Sequence, residues 1–150
     1  MKRQHLLLLI LAFGVFSILN TEMGIIGILP MAAEMYQVDI VQAGMLVSLF
    51  ALGVAIAGPT MPLLFSRFNR KHVMLLVLGV FTICNALAVV ASDFQLLLVL
   101  RVVPAFFHPV YCALAFSMAA ASVAPEDAPR AVARINMGVA AGMVVSVPIS

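Results

Sequence analysis

Residues 6–29 read LLLLILAFGVFSILNTEMGIIGIL. The run exceeds the about 20 residues that a helix rising 1.5 Å per residue needs to cross a bilayer. It is interrupted by Asn20, Thr21 and Glu22 and closed by Pro30. Met1-Lys2-Arg3-Gln4-His5 precedes it, and a basic head before an apolar run also resembles a signal peptide. The apolar character resumes after Glu22, however, and no small-x-small cleavage site precedes a polar mature domain. The segment is therefore expected to stay in place as the first span.

The rest of the 150 residues has the same character. Hydrophobic residues make up 65% and charged residues 9%, where a soluble domain averages about 25% charged. Mean hydropathy is +1.20. A core of this size cannot hide that much apolar surface, so lipid must be the solvent for most of the chain. A soluble domain, a disordered chain and a nucleic-acid binder are excluded. Net charge is only +2, too small to imply a polyanionic partner. Cys84 and Cys112 both lie within apolar runs, at a spacing that supports neither a disulfide nor a zinc site.

Further apolar blocks cover residues 40–65, 73–90, 94–123 and 135–150. None alternates as the strands of a membrane barrel do. Helices are the other way to satisfy every backbone group in lipid. The expected fold is an all-α membrane protein, an antiparallel bundle of about five spans over 6–29, 40–65, 73–90, 94–123 and 135–150. Seven of the eight basic residues flank the spans on one side: Lys2, Arg3, Arg67, Arg70, Lys71, Arg130 and Arg134. Residues 30–39 and 91–93 contain none, and carry Glu34, Asp39 and Asp93. This asymmetry places the N-terminus in the cytoplasm. The last block, from Ile135, rises only about 24 Å against the roughly 30 Å of a crossing, so the sequence reads as a fragment or a natural truncation.

Three charged or titratable side chains lie in the wrong solvent. A charge at the bilayer centre costs roughly 2.5–3.5 kcal/mol on insertion scales. Glu22 lies seven residues before Leu29, and Arg101 seven residues after Phe94 on a helix running the other way. Each is thus about 10 Å below the outer face, and opposite charges at equal depth invite a pair. His108 follows Arg101 by two turns on the same face. A carboxylate beside an arginine can carry protons or hold a solute; a structural pair, or an arginine reaching to the headgroups, would leave it inert. His108 can relay protons near neutral pH or simply pack. Asn20, Thr21 and Asn85 are candidates for the same cavity, or for bridges between helices. Pro104 and Pro109 permit kinks beside Arg101 and His108. Gly138, Gly142, Ser146 and Ser150 recur every four residues, a stripe for close helix contact, with Pro148 within it. No nucleophile with a paired base, phosphate-binding loop or metal-ligand spacing appears. No cofactor is expected, and without an ATP site any transport uses an ion gradient or none.

Four segments together resemble the N-terminal part of the major facilitator superfamily, in particular its drug:proton antiporter branch that includes bacterial arabinose and sugar efflux permeases. Asn20-Thr21-Glu22-Met23-Gly24 through Gly27-Ile28-Leu29-Pro30 is similar to that branch's first-helix motif, an acidic residue before G-x-L-P. Residues 62–71, PLLFSRFNRK, stand where the superfamily has its G-x-L-A-D-R-x-G-R-K loop. Arg101 with His108 matches the R-x6-H of the sugar-efflux fourth helix, and Gly138, Gly142 and Pro148 resemble the fifth-helix antiporter motif. Pro62, Ser66 and Asn69 replace the loop motif's Gly, Asp and Gly, and the missing Asp weakens its charge-relay role here. The fourth helix has Pro104-Ala105 where a glycine is usual.

The resemblance implies alternating access around a site between two six-helix halves. Glu22 would be the proton or substrate carboxylate, Arg101 would couple its protonation to the site, and Arg67, Arg70 and Lys71 would brace a cytoplasmic gate. The antiporter motif implies export: proton-coupled efflux of a small organic solute, a sugar or drug-like compound, in a multi-pass protein of the bacterial cytoplasmic membrane. The implied partners are the lipid bilayer, the solute, protons and a C-terminal half that the sequence lacks. The alternatives are a non-transporting membrane component, an inactive truncated product and a small multidrug-type exporter. The last fits poorly with the basic loop at Arg67–Lys71 and with a fifth span.

Overall fold

A chain this apolar has to satisfy its own backbone hydrogen bonds, and helices do so within a single segment. The computed structural model describes residues 2–146. It contains α1 (Lys2–Met35), α2 (Ile40–Ala43), α3 (Met45–Phe65), α4 (Arg70–Val89), α5 (Phe94–Ala121) and α6 (Ala128–Ser146), with a 3-10 turn at Pro125–Asp127 before α6. No strand occurs among the described residues. Among the described residues, four segments are long and apolar enough to cross a membrane: Arg3–Met35, Ile40–Phe65, Arg70–Val89 and Phe94–Ala121. The fold is that of an all-α, multi-span membrane protein. Pro148 and Ser150, singled out in the last block, lie outside the described residues.

The first helix corrects one sequence expectation. Its apolar run closes at Pro30, but the helix passes through Pro30 to Met35. Proline removes one N–H and disfavours the residue before it, yet spanning helices accommodate such breaks. The stop comes at the next turn. Gln37 takes a left-handed φ of 53°, Val38 N–H donates to Ala33 O at 3.0 Å, and Gln37 N–H donates to Glu34 O at 3.3 Å. This is a Schellman-type cap with glutamine in the position that favours glycine. A second departure lies at Gly44, where the 40–65 block divides into α2 and α3.

The helices pack as two units. Ile25–Tyr111 form one, and the described residues up to Gly24 together with those from Cys112 to Ser146 form the other. In the first unit four-residue connections (36–39, 66–69 and 90–93) join α1, the α2–α3 segment, α4 and α5, so successive long helices run antiparallel. Ala32, Leu46, Ala91 and Leu97 form a buried cluster there. Tyr36 braces it: its hydroxyl donates to Ala91 O at 2.9 Å, and its ring meets Phe94 edge-on at 6.2 Å. Further along, Phe65 packs against Phe107 with ring centroids 6.0 Å apart. Asn69 caps α4 by accepting from Lys71 N–H at 3.0 Å.

The second unit is built on small residues. A methyl group at Gly138 would lie 2.7 Å from Ala12 O, and one at Gly142 would lie 3.1 Å from Phe16 O. The α6 backbone therefore rests directly on α1. Ser146 completes the stripe and donates its hydroxyl to Gly142 O. In lipid, such close contact supplies the van der Waals attraction that apolar burial cannot. Phe13 (69% exposed) and Leu9 (68%) stand away from this contact, as side chains solvated by lipid or further helices can.

Candidate functional site

On α1 the buried stripe runs Leu8, Leu11, Val15, Ile18, the three- and four-residue steps of one helix face. Glu22 is the next position on that face. It is half-buried, and its Oε2 is inaccessible to solvent. The sequence that folds α1 as a lipid-spanning helix thus carries a carboxylate into the packed side rather than outward. Thr21 donates its hydroxyl to Ser17 O at 3.0 Å. Asn20 is exposed. Beside Gly24, a methyl group would meet nothing within 4 Å.

In the unit formed by Ile25–Tyr111, α5 presents a buried face through Leu97, Ala105 and Tyr111. Arg101 and His108 lie on that face, both half-buried, with Arg101 Nε and His108 Nδ1 inaccessible to solvent. Opposite them α3 buries Leu46, Phe50, Gly53 and Ala57. The crossing is closest at Gly53, where a methyl group would lie 3.0 Å from Ala105 Cβ. This close approach brings Phe50 to both polar residues. Arg101 Cζ sits 5.1 Å from the centre of the Phe50 ring, and the His108 ring meets Phe50 edge-on at 6.2 Å and 73°.

Phe50 is the member of this site that the sequence reading missed. It lies in an unremarked apolar block, and only its place on the buried period of α3, opposite Arg101 and His108, distinguishes it. A guanidinium over an aromatic face is stabilised by about 0.5–2 kcal/mol. The Phe50 ring thus contacts both a cation and an imidazole that lie two turns apart on α5. The structure therefore brings Arg101 and His108 to one surface, as their spacing predicts. Asn85, proposed for the same cavity, is exposed on α4. Arg67, Arg70 and Lys71 are exposed around the turn between α3 and α4. Gly138 and Gly142 serve the contact with α1 described above.

The sequence profile of the Major Facilitator Superfamily matches residues 11–150. The chain belongs to the major facilitator superfamily. Among curated members of this family it is 35% identical to the inner membrane transport protein YdhP of Escherichia coli, over 94% of the chain and 36% of that protein. It is 38% identical to the uncharacterized MFS-type transporter YtbD of Bacillus subtilis, over 80% of the chain and 30% of that protein. The putative transporter AraJ of E. coli is 29% identical over 95% of the chain and 36% of its own length. The chain thus spans about a third of the length of these relatives. The fold is also similar to the crystal structure of a bacterial homologue of the human lysosomal transporter Spinster, inward-facing and unoccupied. The TM-score is 0.85 at 23% identity, over 95% of this chain and 30% of that one. A chain of this family with several helices long and apolar enough to span is a multi-pass membrane protein.

Proposed function

We propose that the full-length protein is a proton-coupled efflux transporter of the bacterial cytoplasmic membrane, with its N-terminus in the cytoplasm. Its cargo is a small organic solute, a sugar or a drug-like compound. The observation that carries this reading is a titratable carboxylate on the packed face of an otherwise apolar spanning helix. Glu22 is the proton-carrying group, because a carboxylate alternates between a charged and a neutral form and changes its cost of burial as it does so. Arg101 and His108, held on Phe50, supply the charge and the hydrogen-bond donors that hold a hydroxylated or anionic solute and answer to the protonation of Glu22. The equal depth that the sequence alone gives Glu22 and Arg101 supports that coupling. Asn20 and Thr21 are accessory polar groups. Arg67, Arg70 and Lys71 brace the cytoplasmic gate, and Gly138, Gly142 and Pro148 belong to the antiporter-motif helix.

Names of relatives support transport in general, YdhP and AraJ among them. In this reading the remaining helices of a full-length protein complete the central site, as the two halves of the family do. The test is transport by the full-length protein in proteoliposomes, using a panel of radiolabelled sugars and cationic dyes. An inward proton gradient should drive at least one solute outward, and collapse of the gradient by a protonophore should stop it. Movement of no solute, or movement indifferent to the gradient, would refute the proposal.

A further inference from the structure

Where α1 and α6 begin, a cleft of about 210 Å³ is lined by Gln4, His5, Leu8, Asp127, Arg130 and Arg134, among others. It lies in one packed unit, remote in sequence from Glu22, and no role described above uses it. Its polar side chains are already held in place. Gln4 Nε2 donates to Ser122 O at 3.0 Å. Arg134 Nη1 lies 3.2 Å from His5 Nδ1. Arg130 Nη1 lies 3.5 Å from Asp127 Oδ1.

A guanidinium has five N–H donors and no acceptor. In the contact with His5 the arginine must therefore donate and Nδ1 accept, which leaves Nε2 as the ring's N–H. Arg130 and Arg134 are one turn apart on one face of α6. Each commits one N–H to the contact named and retains others. Two guanidinium groups face one carboxylate, so the cleft carries a net positive charge, with an amide and an imidazole N–H as further donors.

We propose that this cleft binds a phosphate-bearing anion, with Arg130 and Arg134 as paired charge-assisted donors and Asp127 as the group the anion displaces. The phosphate has two sources, the headgroup of an anionic phospholipid and a small soluble phosphate. The surroundings provide for the first. Directly beyond His5, α1 exposes Leu6, Leu9, Ile10 and Phe13, and beyond Arg134, α6 exposes Met137. Acyl chains can lie along these side chains while the headgroup enters the cleft. The site depends on α1 being a membrane helix and not on any role of Glu22, so the transport proposal and this one fail separately.

The experiment is native mass spectrometry of the detergent-purified full-length protein with phosphatidylglycerol and phosphatidylcholine, each also titrated with inorganic phosphate. The wild type should retain phosphatidylglycerol about tenfold over phosphatidylcholine. The double variant Arg130→Gln/Arg134→Gln should lose that preference, and Asp127→Asn, which removes the competing carboxylate, should strengthen it. Displacement of the lipid by inorganic phosphate would show that the phosphate group suffices. Lipid retention that ignores phosphate but is lost in the double variant would show that the lipid is required. Equal retention of both lipids by the wild type, or a preference that survives in the double variant, would overturn the proposal. Should the double variant not fold, Asp127→Asn carries the test, because an unchanged or weaker preference there overturns it equally.

Discussion

At the scale of single residues, the site turns on which polar groups the helices carry inward. Glu22, Arg101 and His108 were visible in the sequence because lipid makes each of them costly. Apolar residues carry no such signal, and so Phe50 stayed hidden among its neighbours until α3 and α5 were seen to cross at Gly53 and Ala105. The same limit explains Asn85, whose polarity was legible but whose exposed side of α4 was not. Phe50 yields a specific expectation. In the full-length protein, Phe50→Leu should lower proton-driven efflux roughly tenfold by removing the aromatic face under Arg101, about 1–2 kcal/mol. Phe50→Tyr should preserve it. Initial rates of efflux for the two variants decide the matter, and equal losses in both would assign Phe50 to packing alone.

At the scale of elements, the helices themselves were legible, because an apolar run of this length in lipid has few alternatives. Their ends were less so. Pro30 marks where the apolar run stops, whereas α1 ends where Gln37 turns left-handed. Glycine has no steric penalty in that conformation, so Gln37→Gly should stabilise the protein by about 1 kcal/mol, seen as a higher midpoint of thermal unfolding in detergent. A lower midpoint would mean that the glutamine side chain contributes more than its backbone costs. The stripe of Gly138 and Gly142 was readable from its spacing, but the α1 backbone it rests on was not. Gly138→Ala should destabilise by about 1–3 kcal/mol, since its methyl group would collide with Ala12 O. Gly79→Ala, where a methyl group meets nothing within 4 Å, should be neutral or stabilising by up to about 1 kcal/mol. Matching thermal shifts in the two variants would contradict the packing described for α6.

At the scale of the whole molecule, the family and the membrane-spanning fold follow from the chain, and the coupled transport cycle is the claim built on them. Composition was sufficient for the solvent, and the order of motifs for the family, because both are written in residue types. The cargo is not, since a cavity shared between two halves is specified only when both are present. The claim rests on Glu22 as the group that exchanges protons for solute. Glutamine keeps its shape and removes its charge cycle. The most direct test compares wild-type and Glu22→Gln full-length protein in proteoliposomes, measuring gradient-driven efflux and solute exchange without a gradient side by side. The account predicts that Glu22→Gln abolishes the gradient-driven efflux while exchange continues; efflux that still follows the proton gradient in this variant would contradict it.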